Sequence, residues 1–310
     1  MNRPRPDPLF LPCLMGPTGA GKSAAAAALA GILPVSVVNA DSRQVYRDFP
    51  LITAQPSEEE RQACPNRLYG FLPSEKKLGA GLFARAAATS IRQEAARGRT
   101  PVLVGGTGLY FKTLLAGIAP IPAVPKSLSE VWTRRCLEEG CAALHALLAE
   151  RDPEYAKKIH PHDRQRVTRA LEVQEATGKA FSWWHARPVP PGPYRACKIG
   201  ITLPLDELTP ILSRRIDHML AAGALDEARR ALERCRNPAA PGWSGIGCAE
   251  IFRHLQGEIS LDRCRELWLK NTRAYAKRQL TWFKADKDIR WFRPEETTAI
   301  ADHVLRQRAV

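Results

Sequence analysis

The sequence has no apolar run of about 18 residues, so nothing in it reads as a helix that crosses a membrane, and no membrane partner is expected. The apolar stretch at 9–15 is too short for a signal peptide and is broken by Pro12; the eight residues before it, MNRPRPDP, read as a loose tail. Cysteine is present but not in pairs. Cys13, Cys64, Cys136, Cys141, Cys197, Cys235, Cys248 and Cys264 form no Cys-x-x-Cys and no Cys/His cluster at zinc spacing, which excludes a zinc-ribbon or redox-motif reading. Reduced thiols in a cytoplasmic protein are expected, most of them serving as small core residues. No segment repeats. Acidic residues are scarce relative to basic ones, 32 against 46, for a net charge of +14. An excess of that size favours a polyanionic partner, because each phosphate neutralised releases counterions. The rest of the composition, 45% hydrophobic and 25% charged, is ordinary for a globular chain, and 310 residues suffice for a well-buried core.

Over the first 120 residues, apolar strands alternate with helices. LFLPCLM (9–15) is followed by a Gly-rich turn and an Ala-rich helix from Lys22 to about Gly31; VSVVNA (35–40) is a second strand, 81–97 a helix ending at Gly98, and PVLVGG (101–106) a third strand. This pattern predicts an α/β fold, a parallel sheet covered on both faces. Two Pro-rich breaks, APIPAVP (119–125) and RPVPPGP (187–193), enclose a helical block. The organisation expected is a core over 9–120, an inserted helical domain over 121–190, and the second part of the core over 191–310, beginning with the strand YRACKIGITL and mostly helical from Leu208.

Gly16-Pro17-Thr18-Gly19-Ala20-Gly21-Lys22-Ser23 fits G-x-x-x-x-G-K-[ST] and stands between a predicted strand and a predicted helix, the context that motif requires. Its glycines let backbone N–H groups crowd round an anion, the helix N-terminus adds partial positive charge, Lys22 adds a full one, and Ser23 is the candidate ligand of Mg²⁺. A chance match in a chain of this length is on the order of one in a hundred. The loop is of the nucleotide-binding, ATP-binding class, but by itself it does not say which phosphate compound it holds.

Two further strand ends carry polar residues: Asp41-Ser42-Arg43-Gln44-Val45-Tyr46 after the second strand and Gly105-Gly106-Thr107-Gly108-Leu109-Tyr110 after the third. Ligands of open parallel sheets bind at such carboxyl ends. Asp41 has the chemistry to take a proton or hold Mg²⁺. Taken alone it is also a good helix N-cap. Thr107 lies between glycines, which lets a ligand approach closely. Three classes stay open on these residues alone: a transferase, a P-loop small-molecule kinase, and an RNA-stimulated ATPase. Against the last, no apolar strand ending in Asp suggests a Walker-B carboxylate apart from VVNAD itself.

GPTGAGKS, DSRQVY and GGTGLYF, in this order and at these spacings, resemble the tRNA dimethylallyltransferases, also called tRNA isopentenyltransferases. His160-Pro161-His162-Asp163-Arg164-Gln165-Arg166 and the RALEV that ends at Val173 resemble the family's HP-D-x-R-x-x-RALEV block, and Thr272 to Phe283, TRAYAKRQLTWF, its TR-x-x-AKRQ-x-TW block. The matches run from about residue 13 to 292. The resemblance implies a P-loop NTPase-like core with an inserted helical tRNA-binding domain, acting as a monomer on a tRNA anticodon stem-loop. The implied reaction transfers a dimethylallyl group from dimethylallyl diphosphate to the N6 amine of the adenosine 3′-adjacent to the anticodon. It implies Asp41 as general base, Thr107 near the reacting centre and at the tRNA, and Arg215 at the diphosphate beside the loop of Gly16 to Ser23. It also implies tRNA contacts from Asp41, Ser42, Arg43 and Gln44 and from Gln165, Arg166, Val167, Thr168 and Arg169. The chain departs from the family pattern at Ile52, Gln55, Gly70, Leu82 and Cys248, positions expected around the adenine-facing and tRNA-facing regions.

Residues 261–285 read as one long helix. Lys270, Arg273, Lys277, Thr281 and Lys284 share a narrow face, for which phosphate contact is expected, with Arg278 beside it. Trp268, Tyr275 and Trp282 recur every seven residues on roughly the opposite face, the spacing of core contacts; stacking on an adenosine splayed from an anticodon loop stays open as the alternative. His160 and His162, two apart, are a poor pair of metal ligands and are expected to be structural or phosphate contacts.

Overall fold

A computed structural model of the protein describes residues 7–309, so the tail expected at 1–8 lies outside the described residues up to Pro6. In chain order the first part comprises β1 (Leu9–Met15), α1 (Lys22–Ala30), β2 (Val35–Asn39), α2 (Glu58–Ala63), β3 (Asn66–Arg67), α3 (Ala80–Ala96), β4 (Thr100–Gly105) and α4 (Gly108–Ala116). Five helices follow: α5 (Lys126–Glu138), α6 (Cys141–Arg151), α7 (Pro153–Ala156), α8 (Arg164–Thr177) and α9 (Phe181–His185). The chain ends with β5 (Tyr194–Ile201), α10 (Leu205–Ala221), α11 (Ala224–Arg234), α12 (Cys248–Leu255), α13 (Leu261–Lys284), β6 (Arg290–Phe292) and α14 (Thr297–Arg308). Two compact units result, one made of 1–115 with 192–310 and the other of 116–191.

The first unit is built on a six-stranded parallel sheet in the order β3-β2-β4-β1-β5-β6. Side chains alternate between its faces, as the two-residue period of a strand requires. Leu14, Val35, Val37, Val102 and Ile199 pack against Ala26 and Leu29 of α1 and Val304 of α14. Leu11, Cys13, Val38 and Leu103 pack on the other face against Phe83, Ala87 and Ile91 of α3 and Phe111 of α4. Both faces being covered explains why the strands read as continuous apolar runs. Pro12 is tolerated in this central strand because the pairing of β1 with β4 begins at Cys13, one residue further on. The strand at 101–106 is the fourth in the chain, not the third, because the two-residue edge strand β3 precedes it; the strands carrying the three polar ends, β2, β4 and β1, are nevertheless adjacent in the sheet. A separate apolar cluster joins α10 to α13 with Phe49, Trp243 and Trp268.

The second unit is helical around Trp132, Leu144, Leu148, Val167, Leu171 and Phe181. Aspartates cap two of its helices, α7 and α8. Asp152 accepts from the Tyr155 and Ser182 amides, and Asp163 caps α8 through the Arg166 amide. All eight cysteines are free thiols and, Cys141 apart, buried. Among the described residues no helix is long and apolar enough to cross a membrane.

Candidate active site

The Gly-rich loop leaves β1 at Gly16, whose φ of +145° suits glycine; a Cβ there would stand 2.2 Å from the carbonyl oxygen of Ile201 on β5. The loop then turns into α1. The amides of Gly19, Gly21, Lys22 and Ser23 find no protein acceptor among the described residues, the usual state of the first turn of a helix. Lys22 folds back on the loop, its Nζ donating to the carbonyls of Gly16 (3.0 Å) and Pro17 (2.6 Å). Burial pushes its pKa down to about 8; the charge of Asp41 works against that shift and that of Arg215 adds to it.

Asp41 follows β2 in a turn, not at the head of a helix. Its Oδ1 accepts from the Arg43 amide (2.8 Å), and its own amide donates to Asn39 Oδ1 (2.8 Å). The N-cap alternative is thus replaced by an Asx-type turn, in which the side chain bonds its own backbone two residues on. The second carboxylate oxygen has no hydrogen bond among the described residues. From the end of β4, the Thr107 hydroxyl accepts from the Ser42 amide (2.9 Å) and lies 3.3 Å from Ser42 Oγ, which ties the second polar strand end to the third.

A cavity of about 280 Å³ opens beside these groups. Thr18, Asp41, Arg43 and Arg215 contribute polar wall, with Thr272, Tyr275 and Arg278 from α13; Ile52, Leu212, Ile216, Met219, Ile246 and Trp268 make the apolar part. Arg215 forms no ion pair or hydrogen bond among the described residues. Burial lowers its pKa from the usual guanidinium value, and the Asp41 carboxylate offsets part of that. Tyr275 is raised to about 12, chiefly by burial and next by the charge of Asp41, while a hydrogen bond with Thr107 acts the other way. The arrangement supplies an anion cradle, an uncommitted cation, a carboxylate oxygen with a free lone pair, and an apolar wall.

Gln279, quoted with the last motif but given no role from the sequence, turns out to hold the site together. It is 4% exposed; its Oε1 accepts from the Thr18 amide (3.0 Å) and its Nε2 donates to the Gly106 carbonyl (2.9 Å). A Cβ on Gly106 would meet Gln279 Nε2 at 2.0 Å. A buried amide spanning two strand ends fixes the Gly-rich loop relative to Thr107, and the only local signal for it is a polar residue on the packed face of α13.

The other expected contacts divide. Arg43 donates to the Pro241 carbonyl (3.2 Å) and Ser244 Oγ (3.0 Å). Gln44 Nε2 is engaged by the carbonyls of Thr53 and Ala54, so that side chain braces the cavity-lining turn. On α8, Val167 is fully buried and Thr168 nearly so, its hydroxyl bonded to the Arg164 carbonyl; their side chains are core, which corrects their assignment to the tRNA-facing surface. Gln165 and Arg166 are exposed, and Arg169 pairs with Glu172 at 2.6 Å. Lys270, Arg273, Lys277 and Arg278 are all exposed along α13. The aromatic stripe is core only at Trp268; Tyr275 faces the cavity and Trp282 is 44% exposed. Of the five departures, only Ile52 lines the cavity. Cys248 is buried at the start of α12, Gln55 adjoins Gly70, and Leu82 is at the surface. His160 and His162 are exposed with rings 5.5 Å apart.

The depressed Lys22 gives a pH prediction for anion binding. Below about pH 8 the ammonium is already charged, so affinity for a diphosphate ligand is flat. Above it, binding must take up a proton, because the bound anion raises the pKa. The dissociation constant should then rise about tenfold per pH unit until the bound-state pKa is passed. Calorimetry with a short alkyl diphosphate between pH 7 and 10 reads this out, and a Lys22→Ala variant that keeps the same slope would refute it.

Comparison with known proteins gives a consistent picture. The family model described as IPP transferase matches residues 44–286. The chain is 58% identical over 279 residues to a tRNA dimethylallyltransferase of Oleidesulfovibrio alaskensis, covering 90% of this chain and 92% of the relative. It is 59% identical over 309 residues to one of Nitratidesulfovibrio vulgaris, covering 95% and 92%. Among solved structures it is similar to the full-length tRNA isopentenylpyrophosphate transferase of Bacillus halodurans (TM-score 0.70, 30% identity, 97% of this chain and 98% of that one). It is also similar to a eukaryotic dimethylallyltransferase solved acting on tRNA (TM-score 0.80, 27% identity, 97% and 77%).

Proposed function

The chain belongs to the tRNA dimethylallyltransferase family and is a prenyl-transferring enzyme, and from that premise we propose how its cavity performs the transfer. The substrate RNA is tRNA, and the donor is dimethylallyl diphosphate. The acceptor is the N6 amine of the adenosine 3′-adjacent to the anticodon, and diphosphate is the second product. The observation that carries this reading is the cavity beside the Gly-rich loop: Arg215 in its wall has no partner among the described residues, Asp41 offers an oxygen without a hydrogen bond among them, and Ile52, Leu212, Ile216, Met219, Ile246 and Trp268 give it an apolar side. Its volume lies at the low end for small-molecule sites, which suits a five-carbon diphosphate better than a nucleoside triphosphate.

The target base leaves its stack to reach the donor. N6 attacks C1 of the allylic chain; the N–C bond forms as the C–O bond breaks, and the electron pair leaves with diphosphate. The N6 proton passes to the unengaged oxygen of Asp41. Charge gathers on the departing diphosphate, where the loop amides, Lys22 and Arg215 meet it. Ile216, Met219 and Trp268 keep water from the allylic carbon, which would otherwise hydrolyse. Thr107 holds the Ser42 amide and so sets the turn that carries Asp41.

The residues present fit a magnesium ion held mainly by the donor's own oxygens. Among the described residues no cluster of three or more His, Cys, Asp or Glu makes an all-protein cage, and Ser23 presents an exposed hydroxyl at the first turn of α1. Bound there, magnesium would neutralise part of the diphosphate charge. In this reading the enzyme works as a monomer in the cytoplasm, the compartment of its tRNA substrate.

The direct test is incubation with bulk tRNA and labelled dimethylallyl diphosphate. Label is expected in the RNA; its absence, with the protein folded and magnesium present, would refute the reading. The basic face is tested by replacing Lys270, Arg273 and Lys277 with alanine. The slope of log affinity for tRNA against log salt should fall by about 0.7–0.9 for each phosphate that is no longer neutralised, with donor affinity unchanged. An unaltered slope would make that face a solvated surface only.

A further inference from the structure

Ile52 has no part in the chemistry above, yet it is the one departure from the family pattern that lines the cavity, and it is 4% exposed. Helix α10 gives the cavity a direction. Leu212 stands beside the Gly-rich loop, where a Cβ on Gly19 would meet its Cδ2 at 2.7 Å. Ile216 and Met219 follow on the same face, the last about 10 Å further along the helix. Ile52 packs with Ile216, Met219 and Trp268, so it closes the apolar side at the end remote from the loop. Its position is fixed from two directions. Its amide and that of Leu51 donate to the Glu227 carboxylate of α11 (2.9 and 2.8 Å), itself a buried group. Its Cγ2 rests on Gly247, where a Cβ would stand 2.8 Å away. Cys248, beyond that glycine, is small and fully buried, so no large side chain stands ready to fill the space that Ile52 occupies. The Thr53 hydroxyl is committed to the Phe49 carbonyl, which leaves the turn an apolar surface towards the cavity.

We propose that Ile52 is the stop that sets the length of the prenyl chain this enzyme accepts, admitting five carbons and rejecting ten. The proposal rests on the prenyl-transfer reading of the cavity and deepens it by naming what limits the donor. With the diphosphate at the loop, the donor's chain runs along Leu212 and Ile216, and its branched end meets Ile52. A ten-carbon donor carries one further isoprene unit, and the isoleucine side chain occupies nearly the volume that unit needs. Rejection has to be steric, because an apolar wall attracts any hydrocarbon. A steric stop works only where the blocking group cannot withdraw. Close-packed interiors yield little, and the Glu227 clamp on one side and the Gly247 backbone on the other deny Ile52 both routes.

The test uses the full chain, bulk tRNA, and dimethylallyl or geranyl diphosphate as donor. Wild type should prefer the five-carbon donor by about 10²-fold or more in kcat/KM, since a single misfitting methylene is already worth about 10–200-fold. Ile52→Gly keeps the amide that bonds Glu227 and vacates the stop, so its preference should fall about tenfold or more. Ile52→Ala should shift the preference the same way by a smaller factor. Ile52→Leu, which restores the volume, should stay within about threefold of wild type. An unchanged preference in the glycine and alanine variants, or a wild type that takes both donors equally, would overturn the proposal. So would a leucine variant as permissive as the glycine one, which would make the effect a disturbance of the turn. Dissociation constants of the saturated, unreactive five- and ten-carbon diphosphates, measured with tRNA present, should follow the same order. They read the length limit even where no label reaches the RNA, so a failure of the prenyl-transfer reading is not confused with a failure of this one.

Discussion

Asp41→Asn should transfer prenyl groups about 10²–10⁴-fold more slowly than wild type, with donor binding and folding almost unchanged. The asparagine side chain retains Oδ1, so it still accepts from the Arg43 amide and keeps the turn after β2. Asparagine is also at home in such turns. Only the second oxygen changes, from a proton acceptor to an amide NH₂ with no lone pair to give. A loss confined to kcat, with the donor's dissociation constant intact, therefore isolates proton transfer from the electrostatics of the site. If single-turnover rates of the variant match wild type, Asp41 is a turn-forming residue and the base lies elsewhere.

Lys22→Ala should weaken the donor and inorganic diphosphate together, by about 30-fold or more, because removing one partner of a desolvated charge pair costs about 2–5 kcal/mol. Both ligands present the same charge to the same ammonium, so their losses should run in parallel. In wild type, diphosphate should compete with the donor, and ATP should be neither consumed nor required. The reason lies in the chemistry of departure: here the diphosphate leaves whole, whereas a kinase passes on a terminal phosphoryl group and must recognise a nucleoside behind it. Inhibition of tRNA prenylation by diphosphate and by ATP, in wild type and variant, decides the matter. Turnover that depends on ATP hydrolysis would return the loop to its commoner use.

Much of this site is legible in the sequence. A glycine-rich loop between strand and helix has a local cause and a local signature, so Gly16 to Ser23 can be placed directly. The strand ends at Asp41 and Thr107 follow from the same alternation of apolar and polar segments. The cavity wall does not. Leu212, Ile216 and Met219 recur at helical spacing whether a helix faces a core or a ligand, and no periodicity separates the two. β3 and β6, of two and three residues, are too short to carry a period at all and exist because a neighbouring strand offers an edge. Val167 and Thr168 fall within a contiguous motif, but a helix turns 100° per residue and hides part of any such stretch. Gln279 is hard to place for another reason: its partners lie 261 and 173 residues away, and a polar residue on a packed helix face does not name partners so distant.

That same separation has a consequence for when the enzyme comes into being. The Gly-rich loop is made first, but the residue that clamps it, and the helix that walls the cavity with Trp268 and Tyr275, are made near the end. Contacts so distant in sequence form late, after the loops between them have closed. A growing chain on the ribosome thus carries the Gly-rich loop unclamped and without its cavity, and a chain cut between α1 and α13 keeps the motif by which it would be recognised while lacking the chamber in which we propose that it acts.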